Sequence, residues 1–281
     1  MKSIPKWVFN SGQAYMDKGG SMITDQMGNE VAIPVSPQRI ISLVPSQTEL
    51  LFDLGLEKEL VGITKFCVHP QPKVRTKIKI GGTKNFNFDR ITSLDPDLII
   101  GNKEENYRDG IEKLKTQYPV WMSDVRNLQD NHAMIIALGQ ISNRLSRARL
   151  LTENIRQMID AFEPVTTKSV LYLIWKKPYM AVGTDTYINE ILKLCGFDNV
   201  LQNQTRYPGL EAKQIKALNP EVILLSSEPF PFKPRHLDEF RAICPHANIL
   251  LVDGEMFSWF GSRLLKAIPY FQQLKNKLVN C

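Results

Sequence analysis

Cys67 and His69 stand two residues apart and carry the side-chain types of metal ligands. Two ligands do not close a site, because a structural zinc takes four. They read instead as incidental polar residues of a loop. Ser46, His69 and Asp89 supply the residue types of a nucleophilic triad, but nothing in their spacing brings them together. The chain holds no GxGxxG, GxxxxGK[ST], HExxH or GxSxG, and its four histidines, His69, His132, His236 and His246, form no i,i+4 pair. Cys67, Cys195, Cys244 and Cys281 contain no CxxC, which argues against a zinc cluster and a disulfide framework. Cys195 and Cys244 sit in apolar patterns and read as small core residues. Catalysis therefore has no positive motif. No catalytic residue, bound metal or catalytic cofactor is expected.

What remains is a set of aromatic and polar residues in loops that follow predicted strands. Phe66 lies in Lys65–Pro70, and Thr83, Lys84 and Asn85 follow Gly81-Gly82. Asn102 comes after the run ending at Ile100. The second half offers Trp175 and Tyr179, Arg206 and Tyr207, then Glu255, Met256 and Trp259. Open α/β sheets bind ligands at the carboxyl ends of their strands. Aromatic side chains there present flat apolar surface to a ring-like ligand. All twelve are predicted to bind ligand, the aromatics burying its rings and Lys84, Asn85, Arg206 and Glu255 reading its edge.

The elements that must position these loops follow from pattern. At 281 residues the chain is long enough for roughly two domains of about 150 each. Hydrophobic residues make up 43% and charged residues 23%, which excludes a disordered chain. A net charge of +6 with no dense basic arm argues against nucleic acid as partner. Strands are predicted at Arg39–Val44, Leu60–Ile63, Asp97–Ile100, Pro119–Met122, Ser169–Trp175, Glu221–Leu225 and Asn248–Val252. Helices are predicted at Gln47–Leu54, Glu104–Gln117, Tyr187–Leu194, Glu211–Leu218 and Ser262–Leu278. Strands alternating with helices imply mostly parallel sheets.

Residues 128–163 differ. Met134, Leu138, Ile141, Leu145, Ala148, Ile155, Ile159 and Phe162 repeat in steps of four, three and seven. This stripe predicts one sustained helix with Asp130 as N-cap and Pro164 beyond its end, about 30 residues and roughly 45 Å long. The alternative is an ordinary helix broken at Gly139. The expected organisation is an irregular extension over 1–22, an N-terminal α/β lobe over 23–127, the linking helix over 128–163, and a C-terminal α/β lobe over 164–281.

An internal repeat supports two similar lobes. Ile91-Thr-Ser-Leu-Asp-Pro-Asp-Leu-Ile-Ile100 aligns with Ile215-Lys-Ala-Leu-Asn-Pro-Glu-Val-Ile-Leu224 at an offset of 124 (215 − 91). Both describe a last helical turn, a proline, an acid and a buried strand. Looser similarity joins Glu49-Leu-Leu51 and Gly55 to Glu190-Ile-Leu192 and Gly196.

Arg39-Ile-Ile-Ser-Leu-Val-Pro-Ser-Gln-Thr-Glu-Leu-Leu51, Gly81-Gly-Thr83 and Ile91xxLeu94xPro96-Asp-Leu-Ile-Ile100, preceded by Asp25–Pro34, resemble the substrate-binding proteins of ABC importers for cobalamin and ferric siderophores. These are the helical-backbone metal receptors. The resemblance implies two Rossmann-like α/β lobes joined by one long backbone helix, with a ligand held in the interlobe cleft and no catalysis. Cobalamin, a ferric siderophore or haem is the implied ligand. Thr83 stands where a cobalamin binder can have Trp. The family docks on an ABC permease through one acidic residue per lobe. Asp89 matches the first; the repeat places Lys213 at the second, with Glu211 as a substitute. The resemblance implies a monomer, periplasmic or surface-anchored. Met1–Gly20, lacking an apolar stretch long enough for a signal peptide, points instead to the cytoplasm. The alternatives are a cytoplasmic corrinoid- or metabolite-binding relative without a permease, and an enzyme on the same two-lobe scaffold.

Overall fold

A computed structural model describes residues 20–164 and 167–279, so most of the predicted extension and Cys281 lie outside the described residues. Order begins earlier than the pattern suggested. Ser21 and Met22 open strand β1 (Ser21–Thr24), which pairs antiparallel with β2 (Glu30–Ile33). Asp25 closes the turn between them, its carboxylate accepting from the Met27 and Asn29 N–H groups at 2.9 and 2.8 Å.

The chain divides into two compact units. The first runs through Val125 and includes Asp130–Glu153; the second is Arg126–Gln129 with Asn154 onward.

Unit 1 is built on a five-stranded parallel sheet. Its strands are β3 (Ile40–Ser42), β4 (Leu60–Ile63), β5 (Ile78–Lys79), β8 (Leu98–Asn102) and β9 (Val120–Ser123), in the order β5-β4-β3-β8-β9. A two-stranded hairpin, β6 (Gly81–Gly82) and β7 (Asn85–Phe86), follows β5. Every residue of β8 and β9 is buried, as continuous apolar strands covered on both faces must be. Helix α1 (Pro45–Asp53) starts with proline at its first turn and stops ahead of Gly55, which takes a φ of +83°. Helix α2 (Phe88–Leu94) precedes β8, and α3 (Arg108–Lys115) precedes β9.

Helix α3 is shorter than the predicted Glu104–Gln117. The Asn102 side-chain oxygen accepts from the Glu104 and Glu105 N–H groups at 2.9 and 3.2 Å. That bonding holds residues 103–107 in a turn and delays the helix to Arg108.

The predicted single helix over 128–163 is two helices, α4 (Leu128–Ile141) and α5 (Leu145–Asp160). The break lies three residues past the suspected Gly139. Asn143 adopts a left-handed φ of +56°. Its N–H donates to Gln140 O at 3.2 Å, and the Arg144 N–H donates to Gly139 O at 2.6 Å. These are the paired closing bonds of a left-handed helix end. Gly139 serves packing instead: a Cβ there would stand 2.3 Å from the Ala148 Cβ of α5. Asp130 lies inside the first turn of α4 rather than at its cap, where its charge still suits the helix dipole. The boundary between the units falls inside α5.

Unit 2 centres on the parallel strands β10 (Lys168–Trp175), β14 (Val222–Ser226) and β15 (Asn248–Val252), with β12 (Phe197–Asn199) parallel to the start of β10. Strands β11 (Tyr179–Ala181) and β13 (Gly209–Leu210) extend the sheet antiparallel, giving the order β13-β11-β10-β14-β15. Helices α6 (Tyr187–Leu194), α7 (Ala212–Leu218), α8 (Leu237–Ile243), α9 (Gly254–Ser258) and α10 (Leu264–Val279) complete it. Its core packs Leu171, Leu173, Ile223 and Leu225 against Ile215, Phe240 and Cys244.

The repeat is a repeat of geometry. Helices α2 and α7 both end on a left-handed residue, Asp95 at φ +41° and Asn219 at φ +49°. Both then lead through proline and an acid into a fully buried strand. Asp97 accepts from the Gln38 and Arg39 N–H groups at 2.7 and 2.9 Å, just ahead of β3. Glu221 accepts from the Ser169 N–H at 2.8 Å and its hydroxyl at 3.0 Å, inside the start of β10.

Candidate ligand-binding site

In unit 1 the candidate residues collect at the carboxyl ends of β4, β5 and β8. The hairpin β6–β7 turns through Thr83-Lys84, with Gly81 facing Phe86 and Gly82 facing Asn85. Gly81 has a φ of +108°, and a Cβ there would fall 2.4 Å from Asn85 O, so only glycine fits. The Phe66 ring lies against Gly82, whose Cβ would stand 3.3 Å from it, and Phe66 keeps 51% of its surface exposed. The Lys65 ammonium lies 5.0 Å from that ring. Thr83 is buried, and Asn85 is exposed at the hairpin end. Lys84 is already engaged, its ammonium donating to the main-chain oxygens of Glu104 and Asn106.

Asn102 ends β8 rather than standing in a loop. Its amide nitrogen donates to Ser123 Oγ at 2.9 Å and its side-chain oxygen holds the 104–105 turn, so its polar atoms serve the protein itself. The Cys67 thiol is buried 3.1 Å from Thr48 Oγ1 and 3.2 Å from Thr64 Oγ1, and burial pushes its pKa up. Among the described residues no three His, Cys, Asp or Glu side chains are grouped to hold a metal. Asp89 is exposed on α2.

In unit 2 the candidates stand at the end of β10, at the start of β11, between β12 and β13, and after β15. Trp175 is the last residue of β10, 39% exposed, with its ring edge-on to Phe230 at 5.7 Å. Phe230 in turn packs on Phe232 at 4.8 Å and on His236 at 5.5 Å. Tyr179 is turned to the interior: its ring packs on Phe240 at 5.4 Å and its hydroxyl donates to Glu239, which also pairs with Lys176. Burial, and then the Glu239 carboxylate, pushes the Tyr179 phenol up to about 12. The Arg206 guanidinium lies over the Tyr207 ring at 5.6 Å.

After β15, Glu255 pairs with Arg263 at 3.3 Å, and the Arg263 guanidinium stacks on Trp259 at 4.5 Å. Trp259 is 8% exposed, so one of its faces is already covered by its own chain. Met256 is half-buried. Glu211 is exposed and pairs with Lys213 at 2.8 Å.

Sequence reasoning missed Phe230, Arg263 and Asn106. Arg263 carries a signal, a lone cation in the apolar run Trp259–Leu265. Asn106 carries none beyond a second asparagine four residues after Asn102.

Residues 40–242 match the family described as periplasmic binding protein. The chain belongs to this family. As a member it is a substrate-binding protein of the ABC-transporter class, not an enzyme. An uncharacterized ABC transporter substrate-binding lipoprotein, YvrC of Bacillus subtilis (strain 168), is 26% identical over 260 residues, covering 88% of this chain and 82% of that protein. A vitamin B12-binding protein of Vibrio parahaemolyticus is 28% identical over 195 residues, covering 67% of this chain and 70% of that one. The crystal structure of the periplasmic heme binding protein HutB of Vibrio cholerae shares the fold with a TM-score of 0.70 at 22% identity, over 84% of this chain and 98% of that one. Periplasmic binding proteins of this two-lobed α/β type supply a small-molecule ligand to an ABC permease. No helix among the described residues is long and apolar enough to cross a membrane.

Proposed function

We propose that this periplasmic binding protein captures a ring-shaped metal chelate, a corrinoid, haem or ferric siderophore, for an ABC importer. One observation carries the reading. Each unit presents a large, substantially exposed aromatic ring at the carboxyl edge of its parallel strands, Phe66 in the first and Trp175 in the second. Exposed aromatic surface at that edge is the position and chemistry a flat apolar ligand needs. The relatives named for vitamin B12 and heme support the ligand class. Thr83 and Asn85 in unit 1, and Arg206, Tyr207, Glu255, Met256 and Trp259 in unit 2, are the further contacts we assign.

Cyanocobalamin, haemin and ferric siderophores should be titrated by absorbance and by thermal shift. A true ligand at 100 times its Kd adds about 2.7 kcal/mol of stability. Trp175→Ala and Phe66→Ala are each expected to weaken that ligand's binding by about tenfold, with melting temperatures near wild type. Unchanged affinity in both variants would sink the assignment.

Docking on the permease is assigned to Asp89 in unit 1 and Glu211 in unit 2, and the protein is read as an exported monomer. The Lys213–Glu211 pair favours a second reading, a relative that binds the same ligand without a permease, since Lys213 neutralises the acid. A pull-down with an ABC permease and its ATPase from the same organism separates the two: retention supports import, and its absence supports the second.

A further inference from the structure

Three loops of unit 1 converge on one buried side chain. Asn106 is 5% exposed and follows β8. Its amide nitrogen donates to Leu43 O at 3.2 Å, in the segment after β3, and to Thr83 O at 3.1 Å, in the hairpin turn. Its side-chain oxygen accepts from the Asn102 N–H at 2.9 Å, at the end of β8. The Asn106 N–H closes back on Asn102 O at 3.1 Å, and Asn106 O receives the Lys84 ammonium at 3.5 Å. Both amide hydrogens and the amide oxygen are thus spent on main chain, each on a different loop.

We infer that Asn106 is a positioning residue for ligand binding, fixing the Thr83–Asn85 turn relative to the ends of β3 and β8. The inference rests on the proposed function for what the turn touches; the bracing rests on the bonds alone. The β6–β7 hairpin is only two residues long on each side, and such a hairpin has little stability of its own. Its pose depends on outside contacts. Phe66 covers Gly82, and the tilted pair of Phe86 and Tyr107 rings at 4.8 Å supports the far strand. Asn106 alone among these holds the Thr83 carbonyl in the turn. Lys84 then acts as a second brace rather than as an edge reader, because its ammonium already serves two carbonyls of the 104–106 segment.

Asn106→Asp keeps the shape and replaces the amide's donors with oxygen, which faces the Leu43 and Thr83 carbonyls as acceptor against acceptor. Affinity for cyanocobalamin and haemin is measured on the folded full chain, beside hydrogen exchange at residues 82–85. The expected result is binding weakened by about tenfold for whichever probe the wild type takes, with amide exchange in the hairpin sped by a similar factor. Ile91→Val, a core change in α2, serves as the stability control and keeps wild-type affinity and hairpin exchange. Asn106→Asp that binds within about twofold of wild type, with unchanged hairpin exchange, overturns the inference. If Asn106→Asp does not fold, Lys84→Met removes the second brace more mildly, and unchanged hairpin exchange there overturns it equally. A wild type that binds neither probe counts against a corrinoid or haem ligand, while the exchange data still decide the bracing.

Discussion

The two units share a scaffold and differ in how they hold their loops. Helix α2 with β8 and helix α7 with β14 follow one plan: a left-handed closing residue, a proline, an acid that ties down the neighbouring strand, and a buried parallel strand. Beyond the strand ends the two units differ in emphasis. Unit 1 secures its loops with side-chain amides, Asn102 and Asn106, bonded to main chain. Unit 2 has one such amide, Asn199, bonded to Val182 O and the Leu201 N–H, and secures its loops mainly with aromatic packing around Phe230 and with the pairs Lys176–Glu239 and Glu255–Arg263. A scaffold can be duplicated while its loops diverge, since strand pairing constrains the first and only local bonding constrains the second.

The comparison is broken most severely at the shared strands. Ile99→Ala in β8 and Ile223→Ala in β14 each empty a fully buried position, and each should cost about 2–5 kcal/mol in urea unfolding. Equal losses would mark the strands as equivalent. The next effect lies at the closing residues. Asp95→Ala and Asn219→Ala place a Cβ residue without a local polar partner at a left-handed φ and should each cost about 1 kcal/mol in the same measurement. A cost at only one would show that the repeat is sequence likeness without shared energetics.

The smallest effect sharpens the role of the acid. The main-chain hydrogen bond from Ser169 holds the Glu221 carboxyl below its ordinary value. Its folded pKa is therefore lower than its unfolded one. Its contribution to stability is full above the unfolded value and fades as pH falls through the folded value. Glu221→Gln should lower the melting temperature slightly at about pH 7 and converge on wild type as pH falls below the folded value.

Much of this was legible in the residues. Gly55, Gly196 and Pro96 punctuate the chain where elements end, because their backbone chemistry is local. The break at Asn143 was not legible. Leu138, Ile141, Leu145 and Ala148 keep helical spacing across it, and three of the four are also core residues of the separate helices. Spacing reports which residues are buried, and a turn that preserves burial leaves it unchanged. The loops of the candidate site were found by their place after strands. Asn102, Lys84 and Tyr179 could not be read so, since an asparagine bonded to its own backbone and one facing solvent look the same in sequence.

The three described cysteines, Cys67, Cys195 and Cys244, are all buried and unbridged, and burial raises the pKa of each. Little thiolate exists at neutral pH, and the thiolate is the form that attacks oxidants and disulfides. These sulfurs stay protonated and enclosed, so the fold tolerates an oxidising surrounding without cross-linking through them.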